Sequence, residues 1–206
     1  MRMWVIAVTM LLACGCVKEV VTKPRPATPP SAPRAVQAKK AVMIIAHQNF
    51  RDEELLSPRR ILEQAGLTVK VASSSLSPAK GMLGATVTPD VLVKDVDVAE
   101  YDAVIFVGGI GAQEYWDDKT AQDIAQKAAA ENRVLGAICM APVTLANAGV
   151  LKGKKATVWH SEGGRLMAKG ANYTGSDVEV AGRVVTANGP EAAEGFGQAI
   201  LAALGG

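Results

Sequence analysis

Cys139 ends the apolar run VLGAIC (134–139), and Pro142 and a helix-like stretch closing at Gly149 follow at once. A thiol at such a corner has two uses. It can fill space, since cysteine is a small and commonly buried hydrophobe. It can also act as a nucleophile, because the N-terminus of the following helix favours the thiolate. Nucleophilic chemistry needs further parts. Donors for a developing oxyanion are available in the turn Gly108-Gly109, where main-chain N–H groups stand free of side chains. The N–H of Met140 at the start of the corner is a second such donor. An acid or base within hydrogen-bond reach is also required. For that role the globular region offers His47, His160 and several carboxylates, of which Glu54 follows the first apolar run.

The elements that must position these groups are legible as alternating runs. AVMIIA (41–46), AVIFVGG (103–109) and VLGAIC (134–139) are continuous apolar stretches of the kind buried on both faces of a parallel sheet. LTVKVAS (67–73) reads as a further strand, ATVW (156–159) as another, and VEVAGRVVTA (178–187) as a hairpin. Between them, the acidic turn Asp52-Glu53-Glu54 opens a helix carrying Ile61 and Leu62 and stopped by Gly66. Residues 119–132 have the period of a surface helix. A short helix is placed at 163–169, and a closing helix runs from Pro190 to Leu204. Residues 83–98 read as irregular extended structure. Strands alternating with helices predict an α/β domain with a mostly parallel sheet covered on both sides. In such sheets ligands collect beyond the carboxyl ends of the strands. Cys139, Gly109, the turn after Ala46 and His160 after ATVW all fall at such ends.

With 206 residues, 49% apolar and 20% charged, the chain has material for one substantial core. A formal net charge of +2, with no basic stripe, excludes an electrostatically driven nucleic-acid partner. The N-terminus is different in kind. MRMWVIAVTMLLACGC has a basic residue and an apolar run from Trp4 to Leu12, too short to span a bilayer but right for a secretory signal. Its ending Leu11-Leu12-Ala13-Cys14 resembles the bacterial lipoprotein signal, with Cys14 as the acylated residue and Cys16 as a poorer alternative. Residues 1–16 are thus read as the signal. Residues 17–38, with five of the ten prolines, are read as a semi-rigid tether, and 39–206 as the folded domain. The expected location is outside the cytoplasm, on a membrane facing the periplasm or the cell exterior. Since Cys14 and Cys16 belong to the export signal, Cys139 is alone in the domain and can form no disulfide within it.

Glu54-Leu-Leu-Ser-Pro58, Val-Gly108-Gly109 and Ala-Ile-Cys139-Met-Ala-Pro142, in this order and spacing, resemble the ThiJ/PfpI family of the glutamine-amidotransferase-like superfamily. The resemblance covers roughly residues 40–205. It implies a flavodoxin-like three-layer sandwich, a homodimer, and a nucleophile-elbow cysteine at Cys139 whose sulfur is hydrogen-bonded by Glu54. It also implies oxyanion donors at Gly109 and Met140; the chemistry expected of these residues needs no metal or organic cofactor. One departure is informative. The amidase- and protease-like branch has a histidine directly after the cysteine, where this chain has Met140, which cannot relay a proton. The glyoxalase- or deglycase-like branch has its histidine after the next strand, where this chain has His160 in a Trp-His-Ser-Glu context.

These readings converge on a cysteine-dependent enzyme acting on small reactive carbonyls through a hemithioacetal on Cys139. Glu54 would move the proton and His160 would assist. The alternatives are a non-enzymatic stress-responsive lipoprotein that senses oxidants through Cys139, and an amidase- or peptidase-like hydrolase. All of them presuppose that Cys139 is largely thiolate at neutral pH.

Overall fold

Alternate residues of the first apolar run enter opposite cores. Val42, Ile44 and Ala46 pack in one buried cluster, and Ala41, Met43 and Ile45 in the other. That is the period-2 geometry of a strand covered on both faces. The computed structural model describes residues 39–205; the signal segment, the tether, Cys14 and Cys16 lie outside the described residues. Seven strands form the main sheet: β1 (Lys40–Ile44), β2 (Thr68–Ser73), β3 (Val91–Leu92), β4 (Ala103–Phe106), β5 (Val134–Ile138), β6 (Val178–Ala181) and β7 (Val184–Ala187). Their spatial order is β6-β7-β5-β4-β1-β2-β3. All neighbours are parallel except the β6–β7 hairpin.

Helices complete the sandwich. Leu55 and Leu62 of α1 (Asp52–Gln64) join Phe196, Ile200 and Leu204 of α5 (Ala193–Gly205) on one face. Ile124 and Ala125 of α2 (Lys119–Ala130), Val143 and Leu145 of α3 (Pro142–Asn147) and Leu166 of α4 (Gly163–Ala168) cover the other. Close packing at the first face depends on Gly136: a β-carbon there would stand 2.9 Å from Ile200 Cδ1 and 3.0 Å from Phe196 Cζ. The result is the α/β flavodoxin-like sandwich with a mostly parallel sheet that the alternating runs predict.

Two local expectations need correction. ATVW does not form a strand of the main sheet. Only Lys155–Ala156 pairs, in parallel with Asn172–Tyr173, while Thr157 and Val158 are buried outside any ladder. The Thr157 N–H instead donates to Thr186 Oγ1 at 2.9 Å. Residues 83–98 are also more regular than their composition suggests. Thr86–Val87 pairs with Ala79–Gly81, which pairs in turn with Gln48–Phe50, and β3 adds an edge to the main sheet. Among the described residues, no helix is long and apolar enough to cross a membrane.

Candidate active site

Cys139 is the residue on which β5 turns into α3. Its N–H donates to Ala187 O at 2.9 Å, continuing the ladder to β7, and its carbonyl accepts from Trp159 N at 2.8 Å. Between these anchors the chain must reverse, so Cys139 adopts φ +61°, in the left-handed region. A non-glycine residue held there costs of order 1–3 kcal/mol, and such strain concentrates at functional sites. Met140 is fixed as well, since the Trp116 indole Nε1–H donates to its carbonyl at 3.0 Å. Pro142 opens α3, where no backbone N–H is required.

Glu54 is the third residue of α1 and is completely buried. Its neighbours in sequence are used up elsewhere. The Asp52 carboxylate accepts from Leu83 N at 2.9 Å and Ala85 N at 2.7 Å, tying the 81–85 loop to the start of α1. Glu53 pairs with the Arg51 guanidinium at 2.8 and 3.1 Å. The helix start is brought to the glycine turn by the Arg51 N–H, which donates to Gly108 O at 3.0 Å. The turn admits no side chain. A β-carbon on Gly108 would collide with Glu54 Oε2 and stand 2.5 Å from Cys139 Cβ. Gly109, at φ +89°, faces the backbone of residues 49–51, with Asn49 O 2.6 Å from where a β-carbon would sit. Glycine is required there by both conformation and space.

The carboxyl of Glu54 thus lies against the Cys139 side chain, and neither of its oxygens has a hydrogen-bond partner of normal geometry in the protein. Burial pushes Glu54 up from 4.5 to about 8, opposed in part by the neighbouring thiol and by Arg51. Burial likewise pushes the Cys139 thiol up, to about 12, and the charge of Glu54 adds to that rise. The N–H groups of Gly109 and Met140 act against it. Burial of the sulfur therefore opposes the thiolate expected from the sequence, while the main-chain donors favour it, and burial favours the protonated form of both partners.

A cavity of about 200 Å³ opens over Cys139, lined by Glu54, Arg51, Met82, Ile110, Met140 and Trp159 among others, and it is mostly apolar. His160 is not part of its lining. It is exposed, stacks obliquely on Trp159 with ring centroids 4.7 Å apart, and lines a neighbouring cavity. His47 is directed elsewhere, with Nε2 3.3 Å from Ser77 Oγ. Glu54, Cys139, Gly109 and Met140 are thus brought together, and the two histidines stand outside the group. Sequence reasoning missed Arg51, Met82, Ile110 and Trp159. Of these, only Arg51 carried a signal, standing immediately before the acidic turn. Among the described residues, no group of three or more His, Cys, Asp or Glu side chains is placed to hold a metal ion.

The family model described as the DJ-1/PfpI family matches residues 39–203. An uncharacterized protein of Methanocaldococcus jannaschii is 41% identical over 80% of this chain and 82% of its own. A deglycase of Pyrococcus abyssi is 30% identical over 72% of this chain and 90% of its own. A glutathione-independent glyoxalase of Caenorhabditis elegans is 27% identical over 82% and 90% respectively. Among solved structures, a ThiJ/PfpI domain protein from Brachyspira murdochii superposes with a TM-score of 0.80 at 34% identity, covering 82% of this chain and 97% of that one. The relatives therefore include glyoxalase and deglycase members, and the chain belongs to the DJ-1/PfpI family.

Proposed function

We propose that this protein is a cysteine-dependent, glyoxalase- or deglycase-like enzyme that acts on small reactive carbonyls through a hemithioacetal on Cys139. The observation that carries the reading is the buried, unpaired carboxyl of Glu54 set against the Cys139 side chain. A carboxyl lifted to about 8 holds its proton at neutral pH yet releases it within reach of physiological conditions, so it can both give and take a proton. Names borne by relatives, a deglycase and a glyoxalase, support the same chemistry.

The reacting form is the pair after loss of one proton. The sulfur bonds to the aldehyde carbon of a 2-oxoaldehyde while the carbonyl π electrons move onto oxygen. The N–H groups of Gly109 and Met140 donate to that oxygen. Glu54 supplies the proton that completes the hemithioacetal. As carboxylate it then removes the proton from C1, leaving an enediolate, and returns it to C2. With transfer of the hemithioacetal hydroxyl proton to the C2 oxygen, C1 is oxidised to a thioester and C2 reduced to an alcohol. Water hydrolyses the thioester to a 2-hydroxy acid and restores the thiol.

The redox-sensor alternative would use the same thiol, and the names borne by the relatives favour carbonyl chemistry over it. An amidase-like relay draws none from Met140. We further propose that the enzyme is an exported lipoprotein carried on Cys14, a reading that rests on the N-terminal sequence, and that it works as a homodimer, as the family resemblance implies.

The test is methylglyoxal consumption, with lactate as product, by the full chain. Cys139→Ser and Glu54→Gln should each lower the rate by about 100-fold or more. An undiminished rate in Cys139→Ser ends the proposal.

A further inference from the structure

Beside the reactive pocket lies a second cavity of about 220 Å³, and the two share Trp159 and Pro190 in their linings. The neighbours contrast in chemistry. The pocket over Cys139 is mostly apolar, whereas the second is lined by Trp159, His160 and Tyr173 and by the exposed acidic residues Asp177 and Glu191. No lysine or arginine lines it. Neither carboxylate forms an ion pair among the described residues.

The walls are firmly placed. Asp177 Oδ1 accepts from Asn188 Nδ2 at 2.9 Å, and the Asn188 N–H donates to Asp177 O at 3.0 Å. Gly189 leaves room for Trp159, since a β-carbon there would stand 3.0 Å from the indole ring. Gly163 does the same for Tyr173, where a β-carbon would lie 2.9 Å from Cδ1. Two aromatic residues with two carboxylates that form no ion pair are a set suited to an alkylammonium group, which gains from ring quadrupoles and from negative charge together. An anion there would be repelled.

We infer that this cavity is a subsite for a cationic, amine-bearing portion of the carbonyl substrate, with Asp177 and Glu191 as specificity-determining residues. The inference rests on the reading of Cys139 as the reacting group and deepens it. The favoured substrates are carbonyl compounds extended by a protonated amine, rather than three-carbon neutral dicarbonyls or carbonyl acids. On this arrangement His160 belongs to the substrate-recognition wall.

The charge preference is measurable without any turnover. Methanethiosulfonates of similar size modify a cysteine by one reaction: the sulfur attacks the sulfenyl sulfur, methanesulfinate leaves, and the thiol's proton passes to solvent. The full chain is treated with an aminoethyl (cationic) and a sulfonatoethyl (anionic) reagent, and modification is followed at the Cys139 peptide by mass spectrometry. Each rate is divided by that of the same reagent with free cysteine. The cationic reagent is expected to be favoured by about tenfold, in line with focusing in charged clefts. The ratio should fall towards one in Asp177→Asn and in Glu191→Gln, and should stay unchanged in Asp123→Asn, which alters net charge equally on α2. A ratio near one in the unmodified protein, or an equal fall in Asp123→Asn, overturns the subsite. Loss of methylglyoxal chemistry with the charge preference intact overturns the proposed enzyme activity and leaves the cavity assignment standing.

Discussion

Replacing Glu54 by glutamine should stabilise the protein, and by an amount that grows with pH. The side chain is fully buried, and neither carboxyl oxygen has a hydrogen-bond partner of normal geometry. Burial lifts its pKa from 4.5 to about 8. The folded state then holds the proton more tightly than the unfolded chain does. Stability contributed by Glu54 is accordingly complete below the unfolded value near 4.5 and is lost as pH rises towards 8. Integrated from pH 5 to pH 9, that loss is about 4 kcal/mol. Glutamine has nearly the same shape and does not titrate. Any fixed cost of burying its amide is equal at every pH and cancels when the two pH values are compared. For a domain of this size each kcal/mol moves Tm by about 2–4 °C. The Tm advantage of Glu54→Gln should therefore widen by about 8–16 °C between pH 5 and pH 9. Differential scanning calorimetry in buffers of matched ionic strength reads this directly, and a Cys139→Ser background removes the thiol's own titration. A difference that stays flat across this range would show that Glu54 is not held protonated by its surroundings, and the proton-shuttle role would go with it.

Three further outcomes follow from the same geometry. The charge of Glu54 is the second cause raising the Cys139 thiol, so Glu54→Gln should move the pH profile of Cys139 alkylation by iodoacetamide to lower pH; an upward move would mean that the carboxylate activates the thiol. Because Cys139 sits at φ +61°, Cys139→Gly should be more stable than Cys139→Ala by about 1 kcal/mol in urea unfolding, and equal stabilities would show that the elbow is unstrained. If Cys14 is acylated, radiolabelled palmitate should enter the chain and Cys14→Ala should abolish incorporation; persistence of label in Cys14→Ala but not in Cys16→Ala would move the anchor to Cys16.

The parts of this protein that were legible in its sequence share one property: their environment is set within a few residues. AVMIIA announces a strand covered on both faces because its own alternation fills both cores. Gly108-Gly109 announces a turn, and the Cys139 corner announces itself by the break between VLGAIC and Pro142. ATVW has the composition of a strand as well, yet its backbone is claimed by the Thr186 side chain and the Cys139 carbonyl, partners far away in sequence. The acidic triplet shows the same limit at the site. Asp52, Glu53 and Glu54 are chemically near-equivalent when read along the chain. Successive helical residues point about 100° apart, however, so one faces the 81–85 loop, one pairs with Arg51 and one enters the core against the sulfur. The third is thereby pushed towards keeping its proton.

The ionisation of Cys139 is where local reasoning is least complete. A helix start beside a cysteine does favour the thiolate, and the N–H groups of Gly109 and Met140 do pull in that direction. But α3 has only six residues, and the main-chain donors that favour the anion arrive with a close-packed wall that strips the sulfur of water. The walls that organise the donors also exclude the solvent that would otherwise stabilise the charge. On the proposed mechanism such a site forms its thiolate as a substrate arrives to accept it, with Glu54 holding the proton meanwhile. That logic accounts for a deeply buried carboxyl that contributes nothing to stability above neutral pH, and it makes the pH dependence of its cost the sharpest test of the whole arrangement.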